Sequence, residues 1–238
     1  MENWTERCHK YTFVDGSSGF QINFAGMAFT DADIEAMSKR FVGVHEEMLK
    51  IERGEIKNPD ENRKVTHFTD RSVYTGSEEY QEVEAFAEAI RSGRIVGSTG
   101  KKFEAAFING IGGSALGPQL IQMAINGPYW NEKSDAQRNG YLKIYFLDNT
   151  DSAEFADLLE VMDPERTLHL VISKSGGTQE TKNNMIAMEN FYASKKLSFA
   201  RHAAAITMKE SELDRHAREN NFLAIFEMAE SIGGRTSE

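Results

Sequence analysis

Several things are scarce in this sequence, and each scarcity excludes something. Cys8 is the one cysteine among 238 residues, so no intramolecular disulfide framework holds the chain together. Basic residues are outnumbered, 27 Lys and Arg against 37 Asp and Glu, for a net charge of −10. A chain this acidic is a poor match for nucleic acid or an anionic membrane surface, and any anion it binds must be held by local donors rather than by a global field. The expected ligand is therefore small. No apolar run approaches the length needed to cross a bilayer, and the opening from Met1 to Arg7 carries no apolar signal segment. A cytoplasmic protein is the expectation, with neither nucleic acid nor membrane as partner. Internal repeats and low-complexity tracts are missing as well. What the chain does have is 40% apolar residues, including 15 Phe, ample for one large or two small packed domains.

Residues 1–97 read as a mainly helical arm. The alternation of Phe20 to Phe24 suits a half-buried strand after the turn-rich Asp15 to Gly19. A long helix then starts behind a Thr30 cap, with Asp31 and Asp33 in its first turn and Ile34, Met37, Phe41, Val44, Met48 and Ile51 at spacings of three and four, and stops near Gly54. Asn58-Pro-Asp-Glu61 looks like a second helix start, a cap with proline at the first helical position and glutamate at the third. That helix would carry Arg63, His67 and Arg71 on one face. A third helix, from Glu78 to about Arg91 behind Ser77, turns Tyr80, Val83, Phe86, Ala87 and Ile90 inward.

From about Ser98 the rhythm becomes strand, glycine turn, helix. Strands are predicted at 105–109, 143–147, 168–172, 202–206 and 223–226, and helices at roughly 114–125, 152–161, 179–196 and 211–220. This alternation specifies a parallel sheet with helices on both faces. Ligands of such sheets bind outside the carboxyl ends of the strands, and three polar, glycine-rich turns lie there: Gly110 to Ser114, Asp148 to Asp151, and Ser173 to Thr178.

The last of these turns organises the chain. Leu168 to Ile172 is a short apolar strand, and Gly176 and Gly177 let the backbone curl closely around a ligand. The first amides of the following helix have no intrahelical partner and sit at the positive end of its dipole. Ser173, Ser175 and Thr178 add hydroxyl donors, and Lys174 sits within the same turn. The segment is an anion cradle, although an ordinary strand-to-helix turn would look similar. The first turn, Gly110 to Gly117, invites a dinucleotide reading, because Gly110, Gly112 and Ala115 fit that fingerprint and Asp148 ends the next strand as a ribose-binding acid would. Asp148, however, stands 33 residues past Ala115, where roughly 20 is expected, and a dinucleotide leaves the second cradle without a use.

Gly110 to Pro118 together with Ser173 to Thr181 resembles the glucose-6-phosphate isomerase family. Three further stretches resemble it in the same order: Glu61 to His67 with Arg71, Phe146 to Asp151, and Ile232 to Ser237. The resemblance implies a three-layer αβα sandwich around a five-stranded parallel sheet, the sugar-isomerase (SIS) domain, over residues 98–238. It implies that Ser173, Lys174, Ser175, Gly176, Gly177 and Thr178 hold a sugar's phosphate, that Gly113 and Ser114 line the sugar chain, and that Arg235 stands near the reacting carbons. The implied reaction interconverts glucose 6-phosphate and fructose 6-phosphate through an enediolate, whose oxyanion a permanently charged guanidinium stabilises. It needs no cofactor and no metal, and no His, Cys or carboxylate spacing here suggests a metal site. The family forms homodimers with shared active sites. Other members put bulkier, more hydroxylic residues where Gly176 and Gly177 stand, which shifts the binding here toward backbone amides.

The resemblance also shows an absence. The family's glutamate, partner-subunit histidine and lysine that move protons lie beyond the Gly-Gly-Arg motif, and the sequence stops at Glu238. A fragment that binds phosphosugar weakly without turning it over is the expectation. His67 lies in a recognisable motif but reads first as structural, and His9, His45, His169, His202 and His216 read as surface or sheet-end residues. Glu180 complements the helix dipole, and Glu227 and Glu230 flank the approach to Arg235. A non-catalytic phosphosugar-binding module of the same fold is the alternative. Such a module would not need Gly234, Arg235 or the Glu61 to Arg71 segment.

Overall fold

A computed structural model describes residues 3–55, 57–60 and 62–233. The chain divides into two compact units, Met1–Arg53 and Gly54–Glu238.

In the first unit, α1 (Trp4–Lys10) starts behind an Asn3 side chain that accepts the Thr5 amide, and β1 (Thr12–Val14) pairs antiparallel with β2 (Gln21–Asn23). The Asp15 carboxylate closes the turn between them by accepting from the hydroxyls and amides of Ser18 and Ser17, which holds its pKa down at about 2. Helix α2 (Asp31–Glu52) has the capping box that its sequence announces: Asp33 N–H donates to Thr30 Oγ1 at 3.3 Å and Thr30 N–H to Asp33 Oδ2 at 2.8 Å. Its apolar stripe is present but not covered. Ile34, Met37, Phe41 and Val44 are all exposed, and α2 has no buried residue.

In the second unit, Asn58 does not start a helix; β3 (Lys57–Asn58) and β4 (Arg63–Lys64) form a small antiparallel hairpin. Asn58 Oδ1 accepts the Asp60 amide at 3.0 Å, the Asx turn that competes with an N-cap for the same residue type, and Asn62 takes a positive φ of 49°. Arg63 and His67 therefore do not share a helix face, since Arg63 is in β4 and His67 is the first residue of α3 (His67–Tyr74). Helix α4 (Glu78–Ser92) begins at the Ser77 cap and ends at the left-handed Gly93. Its inward side differs by part of a turn from the predicted one: Ala89 and Ile90 are buried and Phe86 is half-buried, while Val83 and Ala87 are exposed.

The remaining elements alternate as predicted: β5 (Ala105–Asn109), α5 (Gly113–Ile121), β6 (Lys143–Leu147), α6 (Ser152–Val161), β7 (Thr167–Ile172), α7 (Gln179–Ser194), β8 (Ala203–Thr207), α8 (Glu212–Asn220) and β9 (Ala224–Glu227). All five strands are parallel, in the order β6-β5-β7-β8-β9. One face is covered by α6, α7 and α8, through a core that includes Phe107, Val171, Met185, Met188, Tyr192 and Leu213. The other carries α4, with Ile90 packed among Phe103, Ala106 and Leu168. The result is a three-layer αβα sandwich. His169 and His202 are not surface or sheet-end residues but core ones. His169 Nε2 meets the Tyr192 hydroxyl at 3.0 Å. His202 Nε2 accepts the Ser98 amide at 2.9 Å, so its Nδ1 carries the proton that Thr167 O receives at 3.0 Å. Burial keeps both imidazoles neutral, His202 with both ring nitrogens bonded and His169 with its Nε2 bonded, which is how a buried polar ring is tolerated.

Candidate functional site

Strand order locates the site. The chain leaves β5 toward β6 on one side and returns to β7 on the other, so the connections after β5 and β7 diverge and open a crevice at the carboxyl ends of two neighbouring strands. Asn109 is in register with Val171 there. The two glycine-rich turns singled out in the sequence, Gly110 to Ser114 and Ser173 to Thr178, are the two that flank this crevice.

The cradle after β7 is held from behind. Thr207 Oγ1 donates to Ser173 O at 2.6 Å and lies 2.7 Å from Ser211 Oγ, while Ser173 N–H and Met208 N–H lace the loop to β8. Ser173 is buried, and its hydroxyl donates to Thr178 Oγ1 at 3.2 Å. Gly176 N–H turns inward to Ser173 O, and Gly177 N–H is taken by Ser175 Oγ at 3.2 Å, which leaves the exposed Ser175 hydroxyl its own proton to give. Gly176 has φ +72°, and a Cβ there would stand 2.4 Å from Leu213 N, in the backbone of α8. Gly177 faces open space apart from Ser175 Oγ at 3.8 Å. Between α7 and α8 lies a half-open pocket of about 240 Å³ lined in part by Ser173, Gly176, Thr181 and Leu213.

Capping separates the four helices that follow strands of the sheet. Asp151 caps α6 and Ser211 caps α8 with their side chains, as Asx and Ser caps normally do. Gly112 at α5 and Thr178 at α7 make no side-chain capping bond. The two helices that open onto the crevice are therefore the two that start without a side-chain cap; at α7 the first-turn amides have no partner among the described residues, whereas at α5 Ser114 N–H and Ala115 N–H donate to Ile111 O and Gly112 O at 3.2 and 3.0 Å. The donors at these starts are amides and hydroxyls, the Gly113 amide and the Ser114 hydroxyl on one side and those of Ser175 and Thr178 on the other, with Glu180 and Lys182 both in the first turn of α7. Gly110 lets α5 approach this closely, since a Cβ on it would meet Ser114 O at 2.9 Å.

Three polar ties that the sequence did not suggest brace the elements around the crevice. Asn109 Nδ2 donates to Thr181 O at 3.0 Å, joining the end of β5 to the first turn of α7. Asn184 Nδ2 donates to Asn149 O at 2.8 Å. Gln119 Nε2 donates to Asp148 Oδ2 at 2.5 Å, so Asp148 serves α5 rather than a ribose. The Lys174 side chain reaches away from the loop, its Nζ donating to Glu230 O at 2.6 Å. Arg63 Nη1 donates to the next carbonyl, Ser231 O, at 2.8 Å. Two segments far apart in sequence thus converge on the strand-to-loop passage that follows β9. Arg235, Gly234 and Glu61 lie outside the described residues. No group of three or more His, Cys, Asp or Glu that could hold a metal occurs among the described residues, and no described helix is long and apolar enough to cross a membrane.

Comparison with known proteins agrees with this geometry. The family model described as phosphoglucose isomerase matches residues 33–238. Glucose-6-phosphate isomerase of Trichormus variabilis is 36% identical over 244 residues, covering 98% of this chain and 44% of that protein. The Geobacter sulfurreducens enzyme of the same name is 36% identical over 249 residues, covering 100% and 45%. A crystal structure of a glucose-6-phosphate isomerase from Chlamydia trachomatis superposes with a TM-score of 0.77 at 29% identity, over 98% of this chain and 44% of that one. The chain thus spans a little under half the length of the relatives it matches. With its sheet, its paired cradles and a family match that covers most of its residues, the chain belongs to the phosphoglucose isomerase family.

Proposed function

We propose that this chain carries the phosphosugar-binding half of a glucose-6-phosphate isomerase, with residues 98–238 as its SIS-type domain. The phosphate sits at the start of α7, held by the hydroxyls of Ser173, Ser175 and Thr178 and by the first-turn amides of α7, with Lys174, Gly176 and Gly177 shaping the loop around it. Gly113 and Ser114 line the sugar chain. Arg235 stabilises the enediolate formed as glucose 6-phosphate and fructose 6-phosphate interconvert in glycolysis and gluconeogenesis. The whole protein acts as a cytoplasmic homodimer, and no cofactor takes part. The observation that carries this reading is the pair of uncapped helix starts facing one crevice, α5 and α7. A sugar phosphate has an anionic end and a hydroxyl-rich chain, one for each.

Proton transfer between adjacent carbons requires a base within hydrogen-bond reach. The glutamate, histidine and lysine that the family uses have no match among these 238 residues, so the chain by itself binds without turning substrate over. Calorimetric titration with fructose 6-phosphate, beside a coupled isomerase assay, tests both statements. Saturable binding with no rate is the expected result. A measurable rate from the pure chain would overturn the second statement, and binding of NAD in place of sugar phosphate would overturn the first.

A further inference from the structure

Strand β5 reads Ala-Ala-Phe-Ile-Asn, and its last residue breaks its own pattern. Asn109 is 3% exposed at a position where an apolar side chain would pack at no polar cost. Its amide nitrogen donates to Thr181 O across the crevice, yet its Oδ1 is buried with no hydrogen-bond partner among the described residues, as is Thr181 Oγ1 opposite. Burying two unsatisfied polar atoms forfeits their hydration with nothing in return. Positions that violate a local packing rule in this way concentrate where function requires them.

We infer that Asn109 is a positioning residue, which sets the distance between the sugar-lining turn and the phosphate cradle. The geometry supplies the reason. Asn109 directly precedes Gly110, so its backbone fixes where the Gly110 to Ser114 turn begins, while its side chain grips the first turn of α7, where the cradle's amides emerge. A phosphate alone needs one of these turns. A sugar phosphate needs both at a fixed separation, and misplacement of groups by about 1 Å is enough to weaken such recognition strongly. Asn184, bonded to Asn149 O one turn further along α7, holds that helix to the loop after β6, so α7 stays docked when Asn109 is changed and only the span across the crevice loosens.

This inference rests on the proposed phosphosugar site, and its test separates the two. Asn109→Asp keeps the shape and removes the donor to Thr181 O; Asn109→Ala removes the side chain. Both are titrated with fructose 6-phosphate and with inorganic phosphate. The expected result is an affinity for fructose 6-phosphate lower by about tenfold, the size of one lost hydrogen bond with some misalignment, and an affinity for inorganic phosphate within about twofold of the parent. A parallel loss of both ligands, or no loss of either, would overturn it. Thr181→Val leaves the accepting carbonyl in place and retains both affinities; loss of fructose 6-phosphate there would assign the effect to the hydroxyl and overturn the inference. If the parent chain binds neither ligand, the functional reading falls and amide exchange in the ligand-free protein decides. Faster exchange over residues 179–184 in Asn109→Asp, with α8 unchanged, upholds the tie across the crevice, and unchanged exchange refutes it.

Discussion

Gly176 and Gly177 are adjacent, identical in type and unequal in what they tolerate. Gly176 combines a positive φ with a Cβ path that ends on the backbone of α8, so Gly176→Ala adds left-handed strain of about 1 kcal/mol to a clash that no side-chain rotation relieves. A total loss of about 3 kcal/mol is expected by urea unfolding. Gly177→Ser meets open space and is expected to stay within about 0.5 kcal/mol of the parent. It adds a hydroxyl beside the cradle, so phosphosugar affinity should hold or rise. Of the two glycines, only Gly177 has room for a side chain. His169 gives a residue-scale prediction of another kind. Burial, with the neighbouring His202 as a lesser cause, lowers its pKa from 6.5 to about 3, and burial lowers that of His202 in the same direction. The unfolded chain takes up these protons near pH 6.5 while the folded chain refuses them. Between about 6.5 and 3 the unfolded state therefore binds more protons, and stability present above that window is lost as pH falls through it. His169 contributes about 1.4 kcal/mol per pH unit there, and His202 acts in the same direction. Urea midpoints measured from pH 7.5 to 5 should fall steadily, and His169→Phe should make the fall shallower.

Elements differ in how much of themselves they display in sequence. The five parallel strands and α6, α7 and α8 were legible to within a residue or two, because strands buried on both faces are continuous apolar runs and each helix has a capped or glycine-marked start. The 57–64 hairpin was not. Its Asn-Pro start serves a turn as well as a helix, and two-residue strands carry no periodicity to decide between them. In the candidate site, the cradle could be read from its hydroxyls and glycines, whereas the ties made by Asn109, Asn184, Lys174 and Arg63 could not, since each ends on a backbone carbonyl that no side-chain pattern announces. Two of them act on one passage. Arg63 and Lys174 hold the consecutive carbonyls of Ser231 and Glu230, so the hairpin and the cradle jointly fix the chain just ahead of Arg235. Removing the Arg63 contact by Arg63→Ala is expected to speed amide exchange across residues 228–233 by about fivefold, the equivalent of about 1 kcal/mol of local opening, while β5 and β7 keep their protection. Unchanged exchange there would show that Arg63 does not hold that passage.

At the scale of the whole molecule, the charge and the surface act against each other. Leu116, Leu120, Ile121, Met123 and Ile125 stand exposed along α5 and the π-helical turn that continues it. Exposed apolar surface of this extent favours association. The net charge of −10 opposes it, but only across a screening length that shrinks from about 30 Å at 0.01 M salt to about 10 Å at 0.1 M. Sedimentation velocity is expected to show larger species as sodium chloride rises, and Leu120→Lys to suppress them. The choice of buffer anion then matters in two separate ways. Sulfate both promotes burial of apolar surface and carries the charge and tetrahedral shape that an uncapped helix start accepts. A sugar-phosphate titration run in sulfate or phosphate would record competition at α7 and self-association at α5 together, whereas one run in dilute chloride would record the ligand alone.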